Sequence, residues 1–163
     1  MVFGEGSKII SIEDMFWQKK KPKILIVEDT LRNHDLYRDI FKQEGFEVTI
    51  CQSADGDFIS EVVSFSPDII SMDLMLGKKD APTQRNGFQA IELLKSDPQT
   101  KSIPIIILSN FSDSEKVRYA KELGVVDFLS IQGHSIVKIP KNYSRYLKSP
   151  KRYLPSHPLF KSD

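Results

Sequence analysis

The stretch "DIISMD" (Asp68–Asp73) decides the fold. It follows Pro67, carries two isoleucines and a methionine, and stops on a carboxylate before the chain turns polar as "GKKDAPTQRNG" (Gly77–Gly87). A short aliphatic run bounded in this way suits a strand buried on both faces. The pattern recurs on either side. "KILIVED" (Lys23–Asp29), "IPIIILSN" (Ile103–Asn110) and "VVDFLS" (Val125–Ser130) are similar runs, and "FEVTIC" (Phe46–Cys51) alternates like a strand.

Helical periodicity fills the gaps. "LRNHDLYRDIFKQEG" puts Leu36, Tyr37, Ile40 and Phe41 at helical spacing and ends at Gly45. "SADGDFISEVVSF" offers Ser53 as N-cap, with Phe58, Val62 and Val63 on one apolar side. "GFQAIELLKSD" aligns Phe88, Ile91 and Leu94, and "SDSEKVRYAKELG" opens with a capping box of Ser112 and Glu115. Strands alternating with amphipathic helices predict an α/β domain over residues 23–131: an open, doubly wound, five-stranded parallel sheet.

Composition sets the outer limits. The chain of 163 residues is 40% hydrophobic and 28% charged, with a net charge of +1. No apolar run reaches the roughly 20 residues that span a bilayer, and no export signal is visible, so a cytoplasmic location is expected. One cysteine, Cys51, excludes an internal disulfide. The charge is unevenly spread: residues 138–163 sum to +6, residues 1–23 to +2, and residues 24–137 to −7. A basic tail could meet nucleic acid or a membrane surface. A solvated or self-docking tail is the preferred expectation.

In open α/β sheets, chemistry collects outside the carboxyl ends of the strands. Those ends here carry Glu28 and Asp29, Asp73, Ser109, and Ser130 with Ile131. One terminal carboxylate alone reads as a polar stop; three with a hydroxyl at the same edge read as a site. Clustered carboxylates repel, and a hard divalent cation such as Mg²⁺ relieves that cost. A carboxylate so placed can also attack phosphorus to form an acyl phosphate.

With these motifs in order, the chain resembles the receiver domain of two-component response regulators, a flavodoxin-like fold. "ILIVEDT" resembles the first strand with its acidic pair, "DIISMDLMLG" the third with its phosphoacceptor, and "IPIIILSN" the fourth with its switch hydroxyl. The resemblance implies that Asp73 accepts the phosphoryl group. It further implies that Glu28, Asp29 and Asp73 bind Mg²⁺ by side chain and Met75 by its backbone carbonyl. Ser109 would be the switch hydroxyl and Phe128 the aromatic switch. The implied partners are a histidine kinase or phosphotransfer protein and a downstream protein target. The implied role is a stand-alone switch rather than an enzyme, and the sequence does not point to a nucleic-acid partner.

The chain departs from that pattern after the fifth strand. Ile131 stands where receivers carry a lysine and Gln132 where they carry a proline. That lysine would give the acyl phosphate a charge-assisted hydrogen bond worth roughly 1.5–3 kcal/mol. Lys138 would reach the site only if the loop folded back. These departures keep a second reading open, a pseudo-receiver that acts as a phosphorylation-independent protein-interaction module. An enzyme of phosphatase or nucleotide-binding type is disfavoured, because "VEDTLRN" after the first strand contains no Gly-rich phosphate loop.

The fifth helix is expected to start at Pro140, with Tyr143, Tyr146 and Leu147 on one face. "QGHSIVKI" would be an irregular link. Lys78, Lys79 and Arg85 in the long loop after Asp73 could steer an anionic phosphodonor. The expected organisation is an N-terminal extension over 1–22, a receiver domain over 23–149 and a Pro/Lys-containing tail over 150–163. In the extension, Ile12, Met15 and Phe16 mark a short amphipathic helix that could pack on the domain or form a homodimer contact. The tail is expected to be irregular and partly mobile.

Overall fold

The computed structural model describes residues 11, 12, 15, 20–110 and 113–161. The elements run β1 (Lys23–Val27), α1 (Leu31–Gln43), β2 (Glu47–Cys51), α2 (Phe58–Phe65), β3 (Ile69–Met72), α3 (Gly87–Ser96), β4 (Ile105–Ser109), α4 (Ser114–Glu122), β5 (Asp127–Ser130) and α5 (Pro140–Lys148). The strands form one parallel sheet in the order β2-β1-β3-β4-β5. This is the doubly wound sheet expected from the periodicities.

The aliphatic runs are continuous because both faces are covered. Leu25, Val27, Ile70, Met72, Ile105, Ile107 and Phe128 face the helices α2, α3 and α4. Ile24, Ile26, Ile69, Ile106, Leu108 and Leu129 face α1 and α5. On this second face the hydroxyl of Ser71 lies 2.7 Å from that of Tyr143, a fully buried residue of α5. That pair satisfies the one polar side chain inside β3.

Several local expectations are corrected. α2 is capped by Asp57, which accepts from the Ser60 N–H, and not by Ser53. Val63 turns outward, 39% exposed, as does Leu36 on α1. α4 is capped by Asp113, which accepts from the N–H groups of Glu115 and Lys116; Ser112 lies outside the described residues. The fifth helix does start on Pro140, and two 3₁₀ turns, Ile131–Gly133 and Ile136–Lys138, form the link before it. Ile12 and Met15 are helical and exposed, whereas Phe16 lies outside the described residues.

The tail is not loose. Two 3₁₀ turns, Pro150–Arg152 and Pro158–Phe160, lead it back over the β5 edge of the sheet, where Phe160 joins the core under α4. It is held by Asp127, which is fully buried. One carboxylate oxygen of Asp127 accepts from the Tyr153 hydroxyl and the Ser156 N–H, each at 2.7 Å, and the other from the His157 N–H at 3.1 Å.

Candidate functional site

The acidic strand ends meet. One carboxylate oxygen each from Glu28, Asp29 and Asp73 lies within 4.8 Å of the others. β1 and β3 are neighbours in register, Val27 beside Met72, so the acids that follow them fall side by side. Each acid is aimed by a local bond. Glu28 accepts from the Thr30 N–H at 2.9 Å, Asp29 from the Gly77 N–H at 3.2 Å, and Asp73 from the Met75 N–H at 3.0 Å.

Burial pushes the Asp73 carboxyl up to about 6, and the charges of Glu28 and Asp29 add to the shift. The Met75 N–H and the Ser109 hydroxyl bond the carboxylate and offset part of it. Asp73 is therefore held in a setting that penalises its own ionisation. A bound cation would remove that penalty, so the donor set fits a hard divalent ion with oxygen ligands.

Two supports escape a reading of the sequence. His34 of α1 places Nε2 2.6 Å from the Glu28 backbone carbonyl, and since a carbonyl only accepts, Nε2 carries the proton. Tyr37 is buried below the site, its phenol raised first by desolvation and then by Glu28 and Asp73. A third support is Gly87, the first residue of α3. A Cβ there would sit 2.2 Å from the Asp73 carbonyl oxygen and 2.5 Å from the Leu74 Cα. Only glycine lets α3 start this close to the acceptor. The signal was present in the sequence as a glycine at a helix start, where a better helix former would be expected.

The long loop after Asp73 is braced. Asp55 accepts from the N–H groups of Gln84 and Arg85, while the Arg85 guanidinium donates to the carbonyls of Ala54 and Gly56. Arg85 is thus committed to the fold rather than to steering. Lys78 does border the open cleft of about 740 Å³ beside Asp29, together with Arg32, Asp55 and Asp80.

The remaining candidates divide between the site and the core. Ser109 is buried against Asp73. Met75 has an exposed side chain and its backbone at the site. Phe128 is 1% exposed, with its ring edge-on to that of His157 at 5.9 Å. Ile131 opens the first 3₁₀ turn and packs on the α1/α5 side, and His134 closes that turn through Nδ1 to the Ser130 carbonyl at 2.8 Å. Lys138 is exposed at the end of the second 3₁₀ turn.

Residues 24–133 match the response regulator receiver domain family, and the chain belongs to it. It is thereby a receiver domain of two-component signalling. Among curated relatives, the polar-differentiation response regulator DivK of Brucella ovis is 26% identical over 136 residues, which is 80% of this chain and 94% of DivK. A protein-glutamate methylesterase/protein-glutamine glutaminase of Myxococcus xanthus is 27% identical over 112 residues; the match takes in 68% of this chain and only 30% of that protein. Among solved structures, the receiver domain of a sensor histidine kinase from Pseudomonas aeruginosa, with a magnesium ion coordinated in its active site cleft, shares the fold at a TM-score of 0.64 and 21% identity. That match covers 80% of this chain and all of the other. No helix among the described residues is long and apolar enough to cross a membrane.

Proposed function

We propose that this receiver accepts a phosphoryl group on Asp73 and uses it to switch a protein-interaction face. The observation that carries the reading is the placement of Asp73, half-buried between two further acids and a buried hydroxyl at the carboxyl edge of the sheet. A carboxylate oxygen of Asp73 attacks the phosphorus of a phosphohistidine or a small acyl phosphate. The new O–P bond forms as the bond to the donor breaks, and that bond's electron pair leaves with the donor. Glu28, Asp29, Asp73 and the Met75 carbonyl would hold Mg²⁺, which supplies neutralising charge for the transferred group. The magnesium described in the Pseudomonas receiver supports that assignment.

The Ser109 hydroxyl, already on the Asp73 carboxylate, would turn to a phosphoryl oxygen. Phe128, beside Ile107 on the neighbouring strand, would relay the change to the β5 edge. A histidine kinase or phosphotransfer protein would be the donor, a downstream protein the reader, and the cytoplasm the setting. The pseudo-receiver reading is favoured by one observation: Ile131, at the position where receivers carry a lysine, is an apolar residue packed on the α1/α5 side. Incubation with Mg²⁺ and acetyl phosphate separates the two. A mass gain of one phosphoryl group, absent in Asp73→Asn, supports the switch. No gain under conditions that label an ordinary receiver leaves the pseudo-receiver.

A further inference from the structure

Residues 150–161 occupy the surface between α4 and the β5 edge without becoming part of the sheet. β5 pairs only with β4 among the described strands, and the segment makes no ladder with it. It is held instead by separate contacts, among them the Tyr153 ring edge-on to Tyr146 and the Ser156 hydroxyl on the side-chain oxygen of Asn142, both partners lying on α5. Tyr153, Ser156 and His157 donate to the two oxygens of Asp127. The His157 ring lies edge-on between Phe128 and Phe160. The Lys121 ammonium on α4 donates to the Leu159 carbonyl at 2.7 Å. Tyr153, Pro155, Ser156 and His157 are partly buried, whereas Leu154 is 84% exposed and Lys151, Arg152, Pro158 and Leu159 are open to water.

This is the anatomy of a bound peptide rather than of a core element. A buried carboxylate reads hydrogen-bond donors on an extended chain, one pocket takes an aromatic anchor, and Leu154, Pro158 and Leu159 between them stay exposed. Asp127 is buried beneath this segment: apart from its own following N–H, every donor it accepts among the described residues comes from it. We propose that residues 150–161 are a displaceable intramolecular occupant of the α4/β5 edge, standing where the extended segment of a partner would dock, a proposal that rests on the reading of a switched protein-interaction face. The fitting partner presents a phenol, two successive free N–H groups three and four residues later, and an aromatic ring seven residues after the phenol. That is the spacing of Tyr153, Ser156, His157 and Phe160. Such a partner gains the surface only by displacing the tail, which competes at the high effective concentration of a tethered ligand.

The test uses the full chain and no phosphodonor, so it stands apart from the phosphoacceptor reading. A fluorescent synthetic peptide of residues 149–161 is titrated into wild type and into Tyr153→Phe/Ser156→Pro, which weakens the tail's own hold and leaves Asp127 intact. The double variant is expected to bind the peptide at least roughly tenfold more tightly than wild type, since its surface is vacated. Adding Asp127→Asn to that variant is expected to abolish binding. Equal binding to wild type and variant, binding indifferent to Asp127→Asn, or no saturable binding by a variant with an intact thermal transition would each overturn the proposal. Amide exchange in wild type gives a check that needs no variant. The Ser156 and His157 N–H groups should exchange through a local opening, well ahead of β1 and β3. Exchange of both only with global unfolding would make the tail a fixed wall, and the docking surface would fall with it.

Discussion

Asp73 and Asp127 are both carboxylates at the ends of sheet strands, and their surroundings are opposite. Asp73 faces two other acids and has one backbone N–H and one hydroxyl to offset them. Asp127 has no acid beside it among its bonded partners and accepts from four donors, three of them in the tail. A carboxylate short of donors and crowded by like charge wants a cation or an electrophile. One saturated with donors is a fastening. The same functional group therefore serves reaction at one edge and assembly at the other, and the donor count tells them apart.

The largest effect is expected where the donors are many. Asp127→Asn turns one acceptor oxygen into an NH₂ group, which either way faces two N–H or O–H donors. Hydrogen bonds to a charged group contribute about 1.5–3 kcal/mol each, so the change should cost about 3 kcal/mol in urea unfolding. An unchanged midpoint would show that the tail contributes nothing to the fold.

Asp73→Asn should move the other way. With the folded carboxyl at about 6 and its ordinary value at 3.8, ionisation at neutral pH costs the metal-free fold about 2–3 kcal/mol. The sign follows from linkage: a raised folded value means the native state holds a proton that the unfolded chain has lost. Wild-type stability from this group is thus highest below pH ~4, falls as pH rises to about 6, and is flat above. Asp73→Asn should raise the melting temperature at pH 7.5 without metal and erase that pH dependence. Added Mg²⁺ should stabilise wild type and leave the variant unmoved; equal Mg²⁺ stabilisation of both would remove Asp73 from the metal site.

How far the sequence foretells these two carboxylates differs for a physical reason. Asp73, Glu28, Asp29 and Ser109 were legible because strand periodicity fixes where each β-run ends, and parallel strands bring those ends to one edge. The proline start of α5 was legible because Pro140 has one favourable place in a helix. Asp127 was not legible as a hub, since its partners lie 26 to 30 residues further on and meet it only once the tail has folded back. The α2 cap departs from the sequence expectation for a similar reason. Ala54 and Gly56 receive Arg85, and Asp55 receives the backbone at Gln84 and Arg85, so tertiary bonds hold this stretch out of the helix. The tail's prolines and weak apolar periodicity predict an irregular, partly mobile segment, and they say nothing of a buried acceptor that holds it.

Gly87→Ala would attack the Asp73 side alone. The new methyl would lie 2.2 Å from the Asp73 carbonyl oxygen, so α3 or the acceptor loop must move. Overpacking of this kind costs about 1–3 kcal/mol. The sharper consequence is for chemistry, because the displaced backbone carries the Asp73 carboxylate. Labelling by acetyl phosphate should fall well below wild type while the tail's amide protection is retained. Loss of both together would mean that the two edges are not independent.

The smallest expected effect probes the link between them. Ser71 lies two residues before Asp73 on β3, and its partner Tyr143 lies on α5, beside Asn142 and Tyr146, which touch Ser156 and Tyr153 of the tail. Tyr143→Phe leaves the Ser71 hydroxyl buried without its partner and should cost about 1 kcal/mol. Ser71→Ala added to it should cost little more, because the unsatisfied group is then gone. A double-mutant cycle in urea measures this coupling, expected near 1 kcal/mol. If the two changes are instead additive, the bond seen between β3 and α5 holds nothing. Asp73 and Asp127 would then share a sheet without sharing a support.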